Sequence, residues 1–345
     1  MPSPRQVAVI AAAGSRKTEF IVTEALAYPD RRVLLTTYTL NNLACIRERI
    51  YRKAGHIPAH VTIMSWYGFL SHHWCRPYQR AVLREPGVLR GIDFSSDLPR
   101  FVPEADARRY FCNRAWDLYK DRVADFAVKA DAAAGGAAVR RLEELYDEVY
   151  IDEVQDLAYY DLDVLDRLLH SRMHLVVVGD PRQHTYATNQ NSKNRQYRGA
   201  RIVDWLSLRA DVCAIEPRTV SYRCNQAICD FADALYPDLP TTTSANFEVV
   251  EPTGILMLSR DDLLGHIEAC GPAVLRHNVR TNTLGLPAIN FGSSKGSTFE
   301  HVVIFPTAPI RAYLRSGDPS GLAAEARSKL YVAVTRARHS VAFVV

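Results

Sequence analysis

Short, continuous apolar runs recur along the chain, each followed by a stretch with helical spacing. Val7–Ala13, Val33–Thr39, Val61–Tyr67, Val149–Ile151 and His174–Asp180 are such runs, and each stops abruptly at small, hydroxyl or charged residues. Helix-compatible stretches follow several of them, most clearly over Glu19–Tyr28, Leu40–Ala54 and Tyr160–Met173. Runs without alternation suit strands buried on both faces of a parallel sheet, with helices as the crossovers. The second half repeats this texture, with short strands at 255–258, 273–276, 288–291 and 302–305. A helix over about 225–235 and a last helix carrying 330–338 into a terminal strand at 340–345 complete it. The pattern predicts an α/β chain built on parallel sheets.

Between Cys75 and Arg141 the texture changes, with prolines at 77, 86, 99 and 103 and many arginines. A long helical stretch is expected over Ala105–Ala130, so the segment reads as a mostly helical insertion, about 76–145. Its arginines read by default as a solvated helical face. The Ala-Ala-Ala-Gly-Gly-Ala-Ala run at 132–138 predicts a flexible joint.

Composition narrows this picture. With 345 residues, two to three domains are expected, and 48% hydrophobic with 23% charged residues indicates an ordinary globular chain. A net charge of +4 permits a polyanionic partner without demanding one. The seven cysteines form no C-x-x-C pair and read as reduced thiols of a cytoplasmic protein. The first residues show no basic leader, and no apolar run approaches a membrane span.

Candidate chemistry sits where the apolar runs end. Ala13-Gly14-Ser15-Arg16-Lys17-Thr18 joins a strand to a helix, as in a phosphate-binding loop. There the backbone N–H groups would hold phosphates, Lys17 would reach the β/γ oxygens, and Thr18 would offer a hydroxyl to Mg²⁺. Taken alone, the stretch is also a plain Gly-Ser turn. Asp152-Glu153 ends another strand, and two acids there suit a Mg²⁺ ligand and a water-orienting base, or equally a solvated acidic turn. Gln183, just past the strand 174–180, is placed to sense a γ-phosphate. Thr37, Tyr38, Ser65, Trp66 and Tyr67 end two strands with hydroxyls and rings that suit phosphates and stacked bases, although Trp66 and Tyr67 taken singly read as core. The polar, basic and aromatic loop 184–200, with Tyr186, Tyr197 and Arg198, is expected to contact nucleic acid, or else reads as a disordered excursion. Arg223 and Arg336 suggest fingers reaching a γ-phosphate, or else a helix cap and a surface ion pair.

Ala-Gly-Ser-Arg-Lys-Thr, Thr-Tyr-Thr-Leu-Asn, Asp-Glu-Val-Gln-Asp, Gly-Asp-Pro-Arg-Gln, Ser-Tyr-Arg, Ser-Lys-Gly-Ser-Thr-Phe-Glu and Tyr-Val-Ala-Val-Thr-Arg-Ala-Arg occur in that order. The set resembles superfamily 1 helicases of the UvrD/Rep/PcrA type over nearly the whole chain. That resemblance implies two RecA-like P-loop NTPase domains, 1–205 with the helical insertion and 206–345, with ATP in the cleft between them. It implies Lys17 and Thr18 at phosphate and Mg²⁺, Asp152 at Mg²⁺, Glu153 as the base and Gln183 as the γ-phosphate sensor. Tyr222 would stack on adenine, Arg223 and Arg336 would be the arginine fingers, and Gly296 and Glu300 would approach the nucleotide, Glu300 at the ribose. Gln6 would correspond to the adenine-reading Gln, and Tyr38, Ser65 and Tyr197 would touch the strand.

The chain departs from that family in three places. Arg16 stands where the family has glycine, and helix-like dihedrals are expected to let its side chain point outward. The large insertion of the second domain is missing, since Asn290 closely follows Gly285-Leu286-Pro287. Ser-Lys-Gly-Ser-Thr-Phe-Glu resembles the other superfamily 1 branch. The expectation is an ATP-driven 3′→5′ motor on single-stranded or tailed duplex DNA. Its alternatives are a regulatory nucleotide-binding subunit beside a nuclease or a replication or repair protein, and an RNA helicase.

Overall fold

The computed structural model describes residues 6–184 and 193–345. The described residues divide into two compact units, one of 6–9, 18–179 and 193–216, the other of 10–17, 180–184 and 217–345.

The first unit is built on a six-stranded sheet. Its strands lie in the order Val61–Ser65, Val33–Thr37, Glu148–Asp152, His174–Gly179, Gln6–Ala11 and Cys213–Arg218. Val33–Thr37 is parallel to both its neighbours, and Glu148–Asp152 is parallel to His174–Gly179. All five residues of Val33–Thr37 and of Glu148–Asp152 are buried, which is why their apolar runs do not alternate. The crossover helix Leu40–Ala54 starts where Thr39 accepts a hydrogen bond from the Asn42 N–H at 3.2 Å and stops at left-handed Gly55. It buries Leu43, Ile46 and Ile50, one stripe at three- and four-residue spacing, and leaves its charged face outside.

In the insertion, the expected helix over 105–130 is broken. Helix Ala107–Phe111 ends early because Asn113 Oδ1 accepts from the backbone N–H groups of Ala115 at 2.9 Å and Asp117 at 3.0 Å. Such a side chain offers the backbone an alternative to the helix. Leu118–Tyr119 then pairs with Ile92–Asp93, and a helix resumes over Val123–Ala133. The alanine-glycine run at 132–138 is a structured turn inside this unit rather than a joint. Gly135 and Gly136 reverse the chain, and buried Asp131 ties both sides, accepting from Ala138 N–H at 2.9 Å and from Arg167 at 2.8 Å.

The second unit carries a five-stranded sheet in the order Gly254–Leu258, Ala337–Val344, Phe299–Phe305, Ala273–Arg276 and Ile289–Asn290, with every neighbouring pair parallel. Leu263, Val303, Phe305, Ala342 and Val344 form a buried cluster with Leu256 and Val274 packed on it. Helix Ala324–Val334 buries Leu330 through Val334. Among the described residues no helix is long and apolar enough to cross a membrane, and all seven cysteines are free.

Candidate functional site

In the first unit, register brings the chemistry to one sheet end. Ser65, Thr37, Asp152 and Val178 are lateral neighbours on four adjacent parallel strands. Parallel strands in register end together, so their following loops share one rim, the usual ligand side of such sheets. Thr18 Oγ1 donates to Asp152 Oδ2 at 2.8 Å, which sets the two expected Mg²⁺ ligands side by side. Asp152 Oδ1 also accepts from the Glu153 N–H at 2.9 Å.

Glu153 is buried and left-handed, with φ 60°. A non-glycine residue there costs on the order of 1 kcal/mol and persists only when its surroundings hold it. Here Gln155 Nε2 donates to Glu153 Oε2. Gly179 is what admits Gln155. A Cβ at position 179 would lie 2.3 Å from Gln155 Oε1 and 2.8 Å from Val154 Cγ1.

The phosphate-loop residues before Thr18 fall in the second unit. Gly14 has φ +77°, and a Cβ on it would come 2.6 Å from Ser221 Oγ and 2.8 Å from Arg223 Cβ. Its carbonyl accepts from the Tyr222 N–H at 3.0 Å, and the Ala12 N–H donates to the Arg218 carbonyl at 2.8 Å. Arg16 has φ 59°, so the expectation of helix-like dihedrals is overturned: the position is left-handed, the region where glycine is at ease. Its exposed guanidinium lies over the Tyr222 ring, 4.1 Å from the centroid.

A chain of buried hydrogen bonds starts at Ala13. The Ala13 N–H donates to the Tyr331 phenol at 3.2 Å, and the phenol donates to Asp180 Oδ2 at 3.1 Å. Gln183 Nε2 donates to the same Asp180 oxygen at 2.8 Å. Burial first, and the Asp180 carboxylate second, hold the Tyr331 phenol well above the ordinary tyrosine range, so it remains a donor. Sequence reasoning assigned Gln183 a role here but missed Asp180 and Tyr331. The Gly-Asp-Pro turn after a buried strand was the available signal for Asp180; a tyrosine inside an apolar helix gave none for Tyr331.

The two expected fingers are both bonded. Arg223 Nη1 donates to the Thr335 carbonyl at 3.0 Å. Arg336 is buried, with Nε on the Val332 carbonyl at 3.0 Å and Nη1 on the Ser297 carbonyl at 3.4 Å. Glu300, at the start of its strand, lies 2.9 Å from His339 Nε2 and 3.5 Å from Arg338. Gly296 has φ 93° in the loop before that strand.

Three expectations about single residues change. Gln6 does not present its amide to a base. Its Nε2 donates to the Ser171 carbonyl at 3.0 Å and its Oε1 accepts from the Leu175 N–H at 2.8 Å, both buried. Trp66 is fully buried, its indole N–H on Asp161 at 2.7 Å, and belongs to the core rather than to a strand-contact surface. Thr37 is buried at the strand end as well. Tyr38 and Tyr67 remain at the rim, their hydroxyls 2.8 Å apart, with the exposed Phe94 edge-on to Tyr67. Ser65 caps the helix that follows it, accepting from the Gly68 N–H at 3.1 Å. Tyr197 and Arg198 are half-buried, and Arg198 lies 5.6 Å from the Tyr159 ring. Tyr186 lies outside the described residues.

The profile of the viral superfamily 1 RNA helicase core domain matches residues 131–345, and an AAA domain profile matches residues 3–189. No curated protein matches the chain. Among solved structures, an Arterivirus nonstructural protein 10 (helicase) in complex with DNA is 16% identical, with a TM-score of 0.51 over 99% of this chain and 60% of that one. The crystal structure of Arterivirus nonstructural protein 10 (helicase), also 16% identical, gives 0.49 over 98% and 59%. At this identity the first likeness concerns the fold, an α/β helicase fold. The chain spans about three-fifths of the length of those helicases. With well over half of its residues inside the first profile, the chain belongs to the viral superfamily 1 RNA helicase core domain family.

Proposed function

We propose that this chain is a nucleotide-driven motor that hydrolyses ATP and moves along single-stranded nucleic acid. The observation that carries the reading is the 2.8 Å bond between Thr18 and Asp152, a hydroxyl and a carboxylate delivered by two different elements of the sequence. Mg²⁺ in nucleotide sites takes one or two protein oxygens and fills its shell with phosphate oxygens and water, so this pair fits it. When bound, the ion would neutralise charge building on the β- and γ-phosphates.

The chain's own residues would divide the work. Backbone N–H groups of Ala13–Ser15, with Arg16 beside them, and the Lys17 ammonium would hold phosphate oxygens. Glu153, fixed by Gln155, would take a proton from the attacking water. Gln183, held on Asp180, would register the γ-phosphate, and Tyr331 gives that sensor a bonded route to the Ala13 amide. Arg223 and Arg336 would exchange their carbonyl bonds for phosphate oxygens. Tyr222, Gly296 and Glu300 would line the nucleoside side. On the nucleic-acid side, Tyr38, Ser65, Tyr197 and Arg198 would touch the strand. The motor domains of this reading are 1–205 and 206–345.

Asp-Glu-Val-Gln-Asp and Arg-Gly-Ala support UvrD-like 3′→5′ movement on DNA; the viral RNA helicase profile supports RNA as the strand. A second reading, a regulatory nucleotide-binding module with weak turnover beside a nuclease or repair protein, draws on left-handed Arg16. ATP hydrolysis with and without single-stranded DNA and RNA tests the reading. Stimulation by either strand supports the motor, and hydrolysis indifferent to both sinks it. Strand displacement from duplexes with 3′ or 5′ tails then assigns direction.

A further inference from the structure

Arg182 stands between Pro181 and Gln183 in the turn that carries the candidate γ-phosphate sensor, and it is only 4% exposed. A guanidinium does not shed its charge, so one buried this deeply needs partners. Arg182 Nη2 lies 3.6 Å from Asp233 Oδ1 and donates to the Pro240 carbonyl. The guanidinium also lies 5.7 Å from the centroid of the Tyr331 ring, whose phenol holds Asp180. The backbone of Arg182 is fixed as well. Its N–H donates to Asp180 Oδ1 at 3.1 Å, and its carbonyl accepts from the Tyr236 phenol at 3.4 Å.

The partner, Asp233, is buried and tied to the segment that carries Tyr222 and Arg223 by two routes. Asp233 sits on helix Gln226–Ala234, which begins three residues after Arg223 at its cap, Asn225. Asp233 Oδ1 also accepts from the Thr242 hydroxyl at 2.9 Å, and Oδ2 accepts from the Thr242 N–H. Thr242 leads directly into Thr243–Ser244, which pairs in parallel with Val220–Ser221, and Tyr222 and Arg223 follow that strand at once. Gln226 joins the two routes. Its Nε2 donates to the Thr242 carbonyl at 3.0 Å, and its Oε1 accepts from the Ser244 N–H at 2.8 Å.

We infer that Arg182 is a positioning residue: its clamp on Asp233 and the Pro240 carbonyl holds Gln183 in register with the segment that carries Tyr222 and Arg223. The inference rests on the motor reading above, in which Gln183 senses the γ-phosphate and Arg223 binds it. Apolar side chains of similar volume often stabilise a fold as well as a buried ion pair does. A guanidinium and a carboxylate, by contrast, bond along set directions, so the pair resists sliding of one element past the other. Movement of Gln183 towards a γ-phosphate then reaches Arg223 through Arg182, Asp233 and Thr242. Arg182 acts through these neighbours and not on the nucleotide itself.

The test is equilibrium binding of fluorescent ADP and of fluorescent β,γ-imido-ATP, a non-hydrolysable analogue that keeps a γ-phosphate. ATP hydrolysis with single-stranded DNA and RNA is measured in parallel, on the wild-type chain and on R182M, R182K and D233N. R182M should bind ADP within about twofold of wild type but the analogue about tenfold more weakly, with kcat down by a similar factor. R182K keeps a cation beside Asp233 and should recover most of the discrimination. D233N loosens the pair from the other side while keeping an acceptor for Thr242, so it should repeat the R182M pattern even where R182M fails to fold. Wild-type discrimination and kcat in D233N, or in a folded R182M, overturn the inference. Equal weakening of ADP and analogue does so too, because that is the mark of a merely structural role. The motor reading stands in both cases. A wild-type chain that neither distinguishes the analogue from ADP nor hydrolyses ATP overturns both.

Discussion

The phenol of Tyr331 donates to Asp180 Oδ2 at 3.1 Å, and its oxygen in turn accepts the Ala13 N–H at 3.2 Å. One buried hydroxyl thus joins the phosphate-loop backbone to the acid that also holds Gln183. Tyr331→Phe keeps the ring but leaves the Ala13 amide and one Asp180 lone pair without a partner. Burying an unsatisfied group costs about 1–3 kcal/mol, so urea unfolding should show a loss of that size. Strand-stimulated hydrolysis should fall too; a variant as stable and as active as wild type would remove Tyr331 from this role.

Glu153→Gln keeps the shape of the buried side chain and removes the base. Loss of a positioned general base costs roughly 10²–10⁴ in rate. Nucleotide affinity should stay within a few-fold of wild type while strand-stimulated ATP hydrolysis disappears. Retained stimulated hydrolysis would falsify the assignment.

Gly179→Ala should act on Glu153 from behind. The new Cβ would meet Gln155 Oε1 at 2.3 Å and Val154 Cγ1 at 2.8 Å, in a buried place. Overpacking of this kind costs about 1–3 kcal/mol. Because Gln155 is the donor to Glu153, turnover should drop more than nucleotide affinity, a split that a simple loss of stability would not produce.

At Arg16 two effects oppose. Releasing a left-handed non-glycine residue gains about 1 kcal/mol, and losing the stack on Tyr222 forfeits about 0.5–1 kcal/mol. Arg16→Gly should therefore leave the unfolding midpoint nearly unchanged. Its effect should appear in nucleotide binding, with KM for ATP lower because Tyr222 is uncovered; a raised KM would instead make Arg16 a phosphate ligand.

Asp161 supplies a pH test. Burial pushes its carboxyl up from 3.8 to about 6, although the Trp66 indole and the Ala158 amide both donate to it. The folded chain then holds a proton that the unfolded chain has released, so stability falls as pH rises from about 4 to about 6. The loss is at most about 3 kcal/mol and is complete above that range. Asp161→Asn should flatten this part of the stability–pH curve. An unchanged slope would mean that Asp161 is ionised throughout.

Much of the fold was legible because the strands are buried on both faces. Val33–Thr37 and Glu148–Asp152 carry continuous apolar runs that need no partner to be recognised, and helix Leu40–Ala54 shows its start at Thr39 and its stop at Gly55. The Lys17-Thr18 loop, the Asp152-Glu153 pair and the arginine boxes stand out as candidates for a similar reason: residue type and local spacing mark them.

What a side chain does after it leaves its own strand was decided by tertiary structure. Gln6 and Thr37 look like surface chemistry in the sequence and Trp66 reads either way, yet packing takes all three into the core. The helix expected at 105–130 broke because Asn113 closes a local turn, a competition that periodicity does not weigh. Ala13, Asp180 and Tyr331 are scattered in sequence, and folding alone brings them together. The sequence by itself determined the doubly buried strands, and that Asp152 and Glu153 stand at the end of one of them. The tertiary structure decided which donors reach them, because a hydrogen bond depends on ångström distances between residues that the linear order leaves far apart.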